Sequence, residues 1–134
     1  MTEYALTTTV DLGFAETVDA IRAALAEQGF GVLTEIDIAA TMKAKLDLDL
    51  PPHLILGACN PLLASQALAA EPSVGVLLPC NVVVRTLDEG RTIVEAMNPA
   101  IMSQFSDNPI LADVPARALG RLTLALDTLT VGAA

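Results

Sequence analysis

Residues 81–97, NVVVRTLDEGRTIVEAM, decide the fold class. Two runs rich in β-branched side chains, Asn81 to Leu87 and Arg91 to Met97, flank the triplet Asp88-Glu89-Gly90. Such side chains fit a pleated strand, and an acidic-and-glycine turn between two strands closes an antiparallel hairpin. The apolar run Val74 to Leu78 is predicted to extend the first strand or to form a separate one. Pro79 bends it there, because proline cannot donate to a ladder.

Toward the N-terminus, Tyr4 to Val10 alternates around three threonines and reads as a strand with one solvated face. Phe14, Val18, Ile21 and Leu25 follow at helical spacing, with Gly13 at the N-cap, Glu16 where a capping-box carboxylate belongs and Gly29 as the left-handed stop. Phe30 to Ile38 reads as a strand with Val32, Thr34, Ile36 and Ile38 on one face and Leu33, Glu35 and Asp37 on the other. A short helix, Ala39 to Leu46, is closed off by Pro51-Pro52, and His53 to Ala58 is an apolar strand. Asn60-Pro61 opens a helix to about Ala70, since asparagine caps well and proline suits the first helical position. Asn98-Pro99 and Asn108-Pro109 repeat that signal. Pro115 would kink a helix begun at Pro109, so a turn is expected near 109–113. The long helix then carries Leu119, Leu122, Leu126 and Leu129 on one face.

The order β-α-β-α-β-α-β-β-α lacks the regular strand–helix alternation of a doubly wound domain. The expected class is α+β: a mixed, mainly antiparallel sheet of about five strands, with helices packed on one face. At 134 residues the chain, 1–134, is expected to be a single domain.

Apolar residues make up 53% of the chain, too many for a disordered segment. Seven basic residues against 16 acidic ones leave a net charge of −9. That excludes an electrostatic footprint for nucleic acid and disfavours anionic membrane surfaces. Glu3 stands where a signal peptide would carry basic residues, and no apolar stretch reaches the ~20 residues of a membrane span. A cytoplasmic location is expected, with Cys59 and Cys80 as free thiols. The apolar excess, with Leu124 opposite the leucine stripe of the last helix, points to a homodimer.

Two Cys-Asn dipeptides carry the candidate chemistry. Cys59 ends a strand just before the Asn60 cap, where the helix dipole favours a thiolate, and Cys80-Asn81 follows Pro79. Both cysteines also fit the ordinary role of small buried hydrophobes. Glu35 and Asp37, two apart on a strand, share a face. They read either as paired carboxylates for acid–base work or as a solvated face partnered by Arg85 or Arg91. His53 is the single histidine, and neither Cys-x-x-Cys nor His-x-x-x-His spacing is present, so no metal and no cofactor are expected. No phosphate-binding glycine loop or catalytic triad can be assembled either.

The strings Gly29 to Asp37, Ile55 to Pro61 and Val76 to Val84 together resemble the domain-of-unknown-function 302 family over roughly residues 3 to 130. The resemblance implies a small α+β domain with a TATA-binding-protein-like sheet arrangement and a tendency to homodimerise, and it leaves function open. Gly13 stands where a serine cap is common in similar proteins, and His53 where an aromatic is common. With no complete catalytic constellation in the sequence, the functional expectation is a dimeric domain that binds a small ligand or partner near the two Cys-Asn motifs without catalysis. Its candidate residues are Cys59, Asn60, Cys80, Asn81, Glu35 and Asp37. The alternative is a thiol-based redox or sulfur-handling protein using Cys59 and Cys80.

Overall fold

The computed structural model describes residues 3–132; residues 1–2 and 133–134 lie outside the described residues. The chain runs β1 (Ala5–Val10), α1 (Phe14–Glu27), β2 (Gly31–Asp37), α2 (Ile38–Leu46), β3 (His53–Cys59) and α3 (Pro61–Ala70). A 3₁₀ segment (Pro72–Leu77) leads to the hairpin β4 (Cys80–Asp88) and β5 (Arg91–Met97). A second 3₁₀ segment (Pro99–Gln104) precedes α4 (Ile110–Gly132).

The five strands form one sheet in the order β1-β5-β4-β3-β2, and every neighbouring pair is antiparallel. The α+β class is as expected, but the sheet is not mixed. The hairpin turns where its sequence places it, with Gly90 at φ 81°. Asp88 faces Arg91 and the pair is ion-bonded.

Alternation sends Leu54, Leu56 and Ala58 of β3 and Val82 and Val84 of β4 to one face. There they meet Ile21 and Leu25 of α1 and Leu122, Leu126 and Leu129 of α4 in the main core. Leu63, Ala67, Val74, Met102, Leu111 and Val114 form a second, smaller core beyond the sheet's end. Helix α4 serves both, its first half on the second core and its second half on the first. This explains its length. A turn at 109–113 would cut the helix where the second core needs Leu111 and Val114, so α4 starts at Ile110 and runs through Pro115. Asn108 still caps it, accepting from the Ile110 N–H at 3.0 Å. Leu119, expected on the buried stripe, is only half-buried, and Ala118 and Ala125 take up the inner face.

Further expectations need correction. Val74 to Leu78 is not a strand, because Val74, Leu77 and Leu78 all pack on the second core and that spacing is helical. Asn98-Pro99 opens a helical turn as its sequence places it, a 3₁₀ segment capped by Asn98. The faces of β2 divide differently because a bulge at Leu33 shifts the pairing between Val32 and Thr34. Val32 therefore shares the helix side with Glu35 and Asp37, while Thr34 and Ile36 face the other way. Ile38 leaves the strand altogether and starts α2. Gly13 does cap α1, without a reciprocal bond from Glu16; the Thr17 hydroxyl donates to the Gly13 carbonyl instead, at 2.8 Å. Gly29 stops the helix at φ 83°, as expected. No helix among the described residues is long and apolar enough to cross a membrane.

Candidate functional site

The expected site residues fall in three places. At the C-terminal end of β3, Cys59, Asn60 and Cys80 line one small apolar cavity with Phe30, Leu63 and Met102. Its volume is about 40 Å³, little more than one water's share of the liquid. The register sets Ala58 opposite Cys80, which brings the two cysteines to neighbouring positions on paired strands.

Asn60 is nearly buried and fully employed. Its Oδ1 accepts from the Leu63 N–H at 3.2 Å, the N-cap bond expected from the sequence. Its Nδ2 donates to the Gln28 carbonyl at 3.4 Å, and Arg121 Nη1 donates to the same carbonyl at 3.3 Å. Burial pushes the Cys59 thiol up, against the direction in which the α3 dipole acts. The Cys80 thiol is pushed up to about 11 by deeper burial, with a smaller contribution from Cys59.

Asn81, next in sequence to Cys80, points to the opposite face of the sheet, where it is exposed. It lines a groove of about 320 Å³ with Tyr4, Val83, Glu95 and Met97. Beside it Glu95 accepts from Thr7 Oγ1 at 3.0 Å and from Arg85 Nε at 2.9 Å, so three strands are tied by one carboxylate.

Glu35 and Asp37 lie at the other end of β3, in a cleft of about 460 Å³. Phe14, Val18, Leu50, Pro52 and Leu54 supply its apolar walls, and Asp19 and His53 add polar groups. Glu35 is ion-paired with Arg22 of α1, not with Arg85 or Arg91; those two are taken by Glu95 and Asp88. Asp37 Oδ1 accepts from the Ala40 N–H at 2.8 Å and caps α2. Sequence reasoning missed Phe14, Asp19 and Leu50 as cleft residues. Only the helical stripe hinted at Phe14, and nothing local marks the other two. Among the described residues, no group of three or more His, Cys, Asp or Glu side chains is arranged to hold a metal ion.

A five-stranded antiparallel sheet with one helix-covered face, an apolar cavity at one end and an acidic cleft at the other defines a small α+β domain. The chain belongs to the family of the domain of unknown function DUF302, whose sequence model matches residues 6–129. It is similar to an uncharacterized conserved DUF302 protein from Bacillus stearothermophilus, known from its crystal structure. The two share 30% sequence identity and superpose with a TM-score of 0.86 over 96% of this chain and 99% of that one. No curated protein matches the chain.

Proposed function

We propose that this chain is a non-catalytic, homodimeric binding domain, and that its small ligand sits in the cleft of Glu35 and Asp37. The observation that carries this reading is a cleft of ligand size that joins apolar walls to carboxylates. Pockets for small molecules run to ~300–1,000 Å³. The cleft, at about 460 Å³, lies within that range, whereas the cavity at Cys59 and Cys80, at about 40 Å³, lies far below it. Apolar walls with Asp19 and Asp37 at the rim, beside a Glu35 already paired with Arg22, suit a compact ligand with an apolar body and a cationic or hydrogen-donating head. The net charge of −9 steers such a ligand inward.

Native mass spectrometry of protein purified from its own host tests the reading directly. The expected result is a dimer carrying a small non-covalent adduct, which is lost in the Asp19→Asn variant. A clean protein mass, together with no melting shift from short alkylammonium probes, would count against it.

The thiol-based reading has one supporting observation, the shared cavity of Cys59 and Cys80. Burial works against it, because it pushes both thiols up and the thiolate is the reactive form.

A further inference from the structure

Between β2 and β3 the chain forms a strap, helix α2 and the residues 47–52 that follow it, and none of these residues is buried. Helices α1, α3 and α4 each bury side chains in a core; α2 alone does not. The strap's polar bonds are internal as well. Lys43 pairs with Asp47 and Asp49, and the N–H groups of Asp47 and Leu48 donate back to the Lys43 and Met42 carbonyls. Only the two ends are tied to the sheet. Asp37, opposite Leu54 in the register, caps α2, and the Pro52 carbonyl accepts from the Thr86 N–H at 3.1 Å. Between those ties, no ion pair or side-chain hydrogen bond among the described residues joins residues 42–51 to another element. We infer that this strap is a lid, which closes over the cleft of Glu35 and Asp37 when a ligand enters it. The inference rests on the proposed function and adds how that site is covered.

The strap already forms part of the cleft wall. Ala39, Ala40, Leu50 and Pro52 line it together with Phe14, Val18 and Asp19 of α1. Its own apolar side chains lack a cover: Leu46, Leu48 and Leu50 are 69%, 47% and 38% exposed. One exposed leucine means little. Three at alternate positions, on a segment tied only at its ends and beside an open cleft, can be buried without disturbing either core, because the strap contributes no side chain to them. The apolar body of a ligand filling the cleft offers these leucines the surface they lack, and removing that area from water drives closure. The turn bonds at Asp47 and Leu48, with the Lys43 pairs, make residues 42–49 one piece, so the motion concentrates at Ile38 and at Pro51.

Hydrogen exchange and titration calorimetry with n-butylammonium test the lid on the full chain. In the free protein, amides of residues 40–48 are expected to exchange with a much weaker urea dependence than those of β3 and β4, because the strap opens without the domain. With butylammonium bound, the same amides should slow. Leu48 provides the decisive variant, since it does not line the open cleft. Leu48→Ser should weaken butylammonium binding on the order of fivefold, as expected for a leucine partly covered on closure. Leu124→Ser, comparably exposed on α4, should leave the affinity unchanged. Wild-type affinity in Leu48→Ser, no slowing of residues 40–48 on binding, or exchange of those amides with the urea slope of the whole domain would each overturn the lid and leave the cleft reading standing. No binding by the wild type would overturn the cleft reading and the lid with it.

Discussion

The side-chain amide of Asn60 donates to the Gln28 carbonyl, 32 positions earlier, while its oxygen caps α3. One buried side chain thus joins the end of the first helix to the start of the third. Gly29 makes room for it: a Cβ there would lie 3.1 Å from Asn60 Nδ2.

Asn60→Ala should therefore cost more than an ordinary cap. Loss of a cap typically costs ~0.5–2 kcal/mol. Here a second hydrogen bond, worth about 1 kcal/mol, goes with it. Asn60→Ser keeps a capping oxygen and gives up the amide donor, so its midpoint in urea should fall between those of the wild type and Asn60→Ala. Equal midpoints for that variant and the wild type would show that the Gln28 contact contributes nothing.

Gly57 is the position where the sheet tolerates no side chain. A Cβ there would sit 2.1 Å from Thr34 Oγ1 and 2.9 Å from Pro79 Cγ. Gly57→Ala should destabilise by ~1–3 kcal/mol, the usual range for overpacking. Adding Thr34→Ala removes the closer clash, so the double variant should recover part of the loss. Strict additivity of the two single changes in thermal unfolding would show that Thr34 is not the obstacle.

The thiols set a pH dependence with a definite sign. Burial raises Cys80 from an ordinary 9.0 to about 11, so between those values the unfolded chain loses a proton that the folded chain keeps. The folded state therefore binds more protons, and this contribution to stability is full below pH 9 and is lost as pH rises toward 11. Cys80→Ala should flatten the alkaline fall in urea midpoint. In alkylation at neutral pH, the half-buried Cys59 should react before the buried Cys80. Faster labelling of Cys80 in the Cys59→Ser variant than of Cys59 in Cys80→Ser would contradict this.

Helix α2 buries none of its residues and depends on the Asp37 cap. Asp37→Ala should loosen it locally by ~1 kcal/mol, seen as faster amide hydrogen exchange over residues 38–46. Amides of β4 and β5, inside the sheet, should keep their protection. A matching loss there would mean that α2 unfolds only with the whole domain.

How much was legible in the sequence depends on how local the signal was. The stripe Phe14, Val18, Ile21 and Leu25, the stop at Gly29, the cap at Asn60-Pro61 and the hairpin around Gly90 are each specified within a few residues. Backbone sterics and orphan N–H groups act at that range, and from these elements the α+β class followed.

Tertiary packing decided the remainder. Val74 to Leu78 reads as a strand until a second core exists for Val74, Leu77 and Leu78 to turn toward. Pro115 reads as a helix break until Leu111 and Val114 are needed on that same core, whose burial outweighs one missing hydrogen bond. The bulge at Leu33 moves Glu35 and Asp37 to the helix side, where Arg22 pairs with Glu35. Cys80 and Asn81, one residue apart, end on opposite faces because successive strand side chains alternate. Composition and local pattern determined which elements form. Which of their side chains meet was settled only by the sheet register and by a last helix long enough to serve two cores, since those contacts join residues far apart in the chain.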